Sequence, residues 1–126
     1  MNERIRKSET KQFKAIFPGA LNNQDTLFGG IALQWMDEVA YITALRFAKK
    51  KMVTVSAEKV QFLLPVKPGA IAEIIGKVIK VKNIKIEIQV EIYIEDMFSD
   101  NRQKAVDGLF TFAAIDEKSK PVPIKN

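Results

Sequence analysis

The chain has 126 residues, 47% of them apolar and 28% charged, with 20 Lys and Arg against 15 Asp and Glu for a net charge of +5. That describes one globular domain over residues 1–126, large enough to bury a core and too small to split in two. It contains neither Cys nor His, which excludes disulfides, thiolate nucleophiles, zinc–thiolate sites, Ser-His-Asp and Cys-His catalysis, and leaves no metal site to expect. Carboxylates and backbone dipoles must therefore carry any chemistry. The surplus of cations suits either a polyanionic partner or a solvated surface.

The first twelve residues are charged and lack an apolar signal region, and no later run reaches the roughly 18 apolar residues of a membrane span. A cytoplasmic protein with no membrane partner is the expectation. Phe13 to Phe17 reads as a short first strand. A polar loop then runs from Asn22 through the pair Gly29-Gly30 into a single long helix, from about Gly30 to Lys49. That helix is apolar nearly all round, which predicts burial on most sides. Asp37 interrupts it. An ionised carboxylate among apolar neighbours costs several kcal/mol unless something pairs with it, so its presence asks for a chemical reason. On a helical wheel it shares a face with Gly30, Leu33, Ala40, Ala44 and Ala48, small residues that let another backbone approach. Lys49, Lys50 and Lys51 close the helix at its electronegative end.

Four further strands follow. Over 52–62 the apolar phase starts on Val53, Val55 and Ala57 and shifts to Val60 and Phe62, which predicts a bulge near Glu58 and Lys59. Pro65 and Pro68-Gly69 mark the turn to the next strand. Residues 70–81, Lys82-Asn83 and then Ile84 to Ile94 read as a long antiparallel hairpin. In its second arm Ile84, Ile86, Ile88, Val90, Ile92 and Ile94 alternate with Lys85, Glu87, Gln89, Glu91 and Tyr93, the period of a strand with one buried face. Residues 104–116 form the last strand, with Phe110 and Phe112 on one face, and Pro121 and Pro123 end regular structure. The fold class is α+β, one helix cradled by a five-stranded antiparallel sheet.

Four blocks, Asn22 to Asp37, Val53 to Phe62, Pro65 to Gly69 and Phe110 to Asp116, resemble in order and spacing the hotdog-fold acyl-CoA thioesterases. The likeness is to the bacterial branch and to the domains of brain-type acyl-CoA hydrolase. The resemblance implies hydrolysis of acyl-CoA to free acid and coenzyme A, with coenzyme A part of the substrate and no other cofactor. It implies a homodimer with a continuous sheet as the active unit, assembled further into a trimer of dimers. It makes Asp37 a general base on water or a nucleophile on the thioester, and Asn22, from the partner subunit, the group that orients water or substrate.

Independently of the family, amides around Gly29 and Gly30 lack intrahelical partners and carry partial positive charge, so they can hold a developing oxyanion. One helix would then offer both an oxyanion hole and, two turns on, a carboxylate. Asp25 and Glu38 are the other acids of this stretch. Gly29, Ser56, Lys82, Asn83 and Lys85 are the expected coenzyme A contacts, with Arg102 and Lys104 as further candidates. The chain departs from the family at this turn, where Lys82-Asn83-Ile84-Lys85 stands for a Gly-Arg-Thr-Ser type of sequence, and Ala70 replaces the Asp usual after Pro68-Gly69. A non-catalytic acyl-CoA sensor is the alternative function. No nucleic-acid partner is expected, because the aromatics Trp35, Phe110 and Phe112 occupy core-like positions.

Overall fold

A computed structural model describes residues 2–124. A short helix α1 (Asn2–Ser8) leads into strand β1 (Thr10–Ala15), and a 3-10 turn (Pro18–Ala20) precedes the long helix α2 (Gly29–Ala48). Strands β2 (Lys51–Phe62), β3 (Ile71–Lys82), β4 (Lys85–Glu95) and β5 (Arg102–Ile115) complete a five-stranded sheet in the order β1-β3-β4-β5-β2, antiparallel throughout. The sheet curls round α2, the hotdog arrangement expected.

Burial follows the strand period. Ile86, Ile88, Val90 and Ile92 of β4, with Phe110 and Phe112 of β5 and Ile74 and Val78 of β3, turn inward and are buried. Against them α2 lays Met36, Val39, Ala40, Thr43, Ala44 and Phe47. Its Thr43 satisfies its hydroxyl within the helix by donating to the Val39 carbonyl at 2.7 Å. Helix and sheet approach closely at Gly76 of β3, where a Cβ would stand 2.6 Å from Thr43 Oγ1 and 2.9 Å from Val39 Cγ1. Both neighbours are β-branched and stiff in a helix. Gly76→Ala is therefore expected to lower unfolding free energy by about 1–3 kcal/mol through overpacking, measured as a shift of the urea midpoint.

The hairpin forms with a tight turn at Asn83-Ile84. Lys82 faces Lys85 across it, and Asn83 takes the left-handed conformation (φ 54°) that Asn tolerates well. The predicted bulge in β2 is present as a register shift between Glu58 and Gln61, with Lys59 at φ 54°, and a second shift lies between Thr54 and Ser56. Lys49 caps α2 in the left-handed conformation, donating its amide to the Leu45 carbonyl.

Two expectations are corrected. There are two helices rather than one: α1 carries no apolar periodicity, and it is held instead by half-buried Ile5 and by Arg4, whose guanidinium donates to the Phe47 carbonyl at 2.7 Å. The first strand is Thr10–Ala15, not 13–17, because its pairing to β3 runs from Thr10 opposite Gly76 to Ala15 opposite Ile71. Phe13 and Phe17, which suggested a strand, are 61% and 68% exposed.

Strand β2 is an edge. It pairs with β5 alone, and Val53 and Val55 stand exposed along it. A twelve-residue edge strand with exposed apolar side chains is a template for pairing with another chain. Among the described residues no helix is long and apolar enough to cross a membrane.

Candidate active site

The loop before α2 is built by Asn22. Its Oδ1 accepts the amides of Gln24 (2.9 Å) and Thr26 (3.2 Å), its Nδ2 donates to Thr26 Oγ1 (3.0 Å), and its own amide bonds the Thr26 carbonyl (2.8 Å). This is the turn-forming chemistry that Asn performs readily, and it leaves one Nδ2 hydrogen unspent. The Leu27 amide then bonds Val66 and the Phe28 amide bonds Ala20, which fixes how the chain enters the helix.

At Gly29 the helix begins with Phe28 as N-cap and no side-chain cap. The Phe28 carbonyl accepts the amides of Ile31 and Ala32, whereas those of Gly29 and Gly30 have no backbone acceptor outside the helix among the described residues. Two phenyl rings frame this end. The Phe62 ring comes within 3.5 Å of where a Gly29 Cβ would be, and the Phe28 ring within 2.8 Å of a Gly30 Cβ. A side chain at Gly30 would crowd the Phe28 ring, whereas one at Gly29 would meet the Phe62 ring at ordinary contact distance.

Beside these amides opens a cleft of about 410 Å³. Asn22 and Thr26 are its polar wall residues, Gly29 and Ala32 give one side, and the segment from Phe62 to Val66 gives the other. Its volume lies within the usual range of small-molecule sites, roughly 300–1,000 Å³.

Asp37 lies elsewhere. It does not line that cleft, and eight residues along α2 from Gly29 it is displaced by about 12 Å along the axis. Its Oδ1 is buried with no hydrogen-bond partner. Burial pushes its carboxyl above the ordinary value, a hydrogen bond with Thr54 opposes this, and the neighbouring Glu38 charge pushes it further up. The competing acids differ in kind, since Asp25 is an exposed loop residue with φ 59° and Glu38 is exposed. The face that Asp37 shares is split: Ala40, Ala44 and Ala48 are buried against the protein, while Gly30 is exposed and Leu33 half-buried. Within one chain the Gly29 amide and the Asp37 carboxylate are thus well separated along α2. Structure groups Asn22 with Gly29 and Gly30, and Asp37 with Thr54.

Thr54 went unread in the sequence. It sits on the exposed edge strand between Val53 and Val55, and only the packing of β2 beside α2 brings it to Asp37. Ser56, on the same strand, is half-buried and donates to Glu58 at 3.3 Å. Lys82, Asn83 and Lys85 are exposed at the hairpin turn. Lys85 aligns with Ala113 and, through it, with Val53, whereas Phe62 aligns with Val106 at the other end of the sheet. Within one chain the hairpin and the Gly29 cleft are thus far apart. Arg102 is occupied by Glu73 at 2.7 Å and by the Tyr93 ring at 3.9 Å, and Lys104 by Glu91 and Asp107. Both hold ion pairs on the sheet.

A long helix gripped by an antiparallel sheet, with open amides at its start and a half-buried carboxylate two turns on, defines a hotdog-fold protein. The family model of the thioesterase superfamily matches residues 24–97, and the chain belongs to that superfamily. It is 31% identical over 119 residues to the uncharacterized acyl-CoA thioester hydrolase YkhA of Bacillus subtilis, covering 94% of this chain and 69% of that one. The acyl-CoA hydrolase of Bacillus cereus superposes with a TM-score of 0.92 at 34% identity, over 94% of this chain and 73% of the other. That of Staphylococcus aureus, solved with butyryl coenzyme A and coenzyme A, gives 0.91 at 33% identity with the same coverage. Structures of its Asp-to-Ala, Thr-to-Ala and Asn-to-Ala variants superpose equally well, with TM-scores of 0.90, 0.89 and 0.90. A hexameric acyl-CoA thioesterase superposes at 0.91 with 29% identity, over 94% and 76% of the two chains.

Proposed function

We propose that this protein hydrolyses acyl-CoA thioesters to free acid and coenzyme A, in a site that two chains complete. The observation that carries the two-chain reading is the separation of its halves. A general base must lie about 3 Å from its water, and that water about 3–3.5 Å from the carbon it attacks. The amides of Gly29 and Gly30 point out of the helix start, away from Asp37 of the same helix. An oxygen held there is about 12 Å or more from that carboxylate along the axis. A second chain paired along the open edge of β2 supplies the missing half.

In this arrangement the thioester oxygen rests on the Gly29 and Gly30 amides of one subunit, with the spare Nδ2 hydrogen of Asn22 directed to substrate or water. Asp37 of the other subunit removes a proton from water as the hydroxide oxygen bonds the carbonyl carbon. The negative charge passes to the carbonyl oxygen and is held by the helix amides. Collapse breaks the carbon–sulfur bond, and the departing thiolate takes the proton from Asp37. Direct attack by Asp37, giving a mixed anhydride that water then opens, uses the same two halves. Single turnover in heavy-oxygen water identifies an anhydride opened at the Asp37 carbonyl, since that route labels Asp37 and the general-base route labels only the free acid.

The relatives support this reading. The Asn, Asp and Thr replaced in the Staphylococcus aureus enzyme are spaced 15 and 17 residues apart, the spacings that separate Asn22, Asp37 and Thr54 here. Its complex with butyryl coenzyme A supports acyl-CoA as the substrate class, and the hexameric neighbour supports assembly beyond the dimer, a trimer of dimers. Lys82 and Lys85, which no ion pair holds among the described residues, are the side chains available for the coenzyme phosphates, with Asn83 and Ser56 beside them. Free-thiol release from acyl-CoA esters of increasing chain length tests the function. Release from none, with acyl-CoA still bound, would establish instead the sensor that the altered hairpin turn favours.

A further inference from the structure

Resting on the acyl-CoA reading, we infer that the cleft beside Gly29 receives the acyl chain and that the Phe62 ring sets which chain lengths enter it. A thioester oxygen held by the Gly29 and Gly30 amides places the acyl carbons at the side of the cleft where the Phe62 ring overlies Gly29, 3.5 Å from the position of an absent Cβ. An acyl chain that runs into the cleft from there passes that ring. Deeper in, Ala32 and Val106 are each 1% exposed, clamped between helix and sheet, so the floor is fixed. Phe62 differs: it ends the edge strand β2 and is 54% exposed in the single chain, so its size can change without disturbing the core of that chain. The polar lining is confined to Asn22 and Thr26, both engaged in the loop turn, and the remaining side chains are apolar.

One methylene admitted to or excluded from an apolar pocket changes kcat/KM by about 10-fold or more. The readout is the ratio of kcat/KM for decanoyl-CoA to that for butyryl-CoA. Phe62→Ala is expected to raise this ratio about 10-fold by widening the wall, and Phe62→Trp to lower it. Phe17→Ala removes a still more exposed phenyl group outside the cleft and should leave the ratio unchanged. An unchanged ratio in both Phe62 variants overturns the assignment while leaving the hydrolase reading intact. A folded wild type that releases thiol from neither ester overturns the hydrolase reading on which it rests.

Discussion

Asp37→Ala is expected to lower kcat by about 10²–10⁴-fold, the contribution of a positioned general base, with no loss of stability. The stability half follows from the site itself. Asp37 Oδ1 is buried without a partner, and burial raises its carboxyl above the ordinary value. A carboxyl with a raised pKa binds its proton more tightly folded than unfolded, so it weakens the fold as pH rises from the ordinary value through the raised one. Wild type should therefore be less stable than Asp37→Ala at neutral pH, and the two should converge in acid, below the ordinary carboxyl pKa. Activity has the opposite sign. The ionised carboxylate is the working form, so kcat/KM should fall as pH drops through the raised pKa. Thr54→Val removes the hydrogen bond that holds that pKa down and should move the acid limb to higher pH. Full activity in a folded Asp37→Ala, measured by thiol release, would sink the assignment.

Most of the sheet could be read because its residues report their own environment. The Ile and Val of β4 alternate as a half-buried strand must, and the phase break at Glu58-Lys59 is a bulge for the same reason. Features that escaped are those whose cause is remote in sequence. Helix α1 has one apolar residue, Ile5, and is held by Arg4 reaching the end of α2. Strand β1 takes its boundaries from β3, and its own Phe13 and the Phe17 beyond it are exposed. Local patterning could not supply either.

The site divides in the same way. Asp37 stands out in sequence because a lone carboxylate on an apolar helix breaks the pattern, and Gly29-Gly30 because a helix start seldom needs two glycines. Thr54 gives no such signal. A Thr on a strand is ordinary, and its meaning comes only from lying beside Asp37. An oxyanion hole and a base are both legible on one helix residue by residue, and eight helical residues, about 12 Å, separate them within one chain.

That distance leads to the sharpest test. Asn22→Ala and Asp37→Ala chains, each nearly inactive alone, are expected to recover activity when unfolded together and refolded as a mixture. A heterodimer of the two contains one site with both defects and one site with neither, because each site draws Asn22 from one chain and Asp37 from the other. In a symmetric dimer, random pairing makes half the dimers mixed and restores one of their two sites, so recovery should approach about a quarter of wild-type activity. Were Asn22 and Asp37 to act on a thioester within one chain, every site in the mixture would carry one defect and no recovery could occur. Refolding Asp37→Ala with Asp37→Asn supplies the control, since no pairing of those chains restores a carboxylate. Recovery there would mean that something other than Asp37 does the chemistry. Recovery only in the first mixture, growing with the fraction of mixed dimers, would locate the reaction between two chains, at the open edge of β2 beside Asp37.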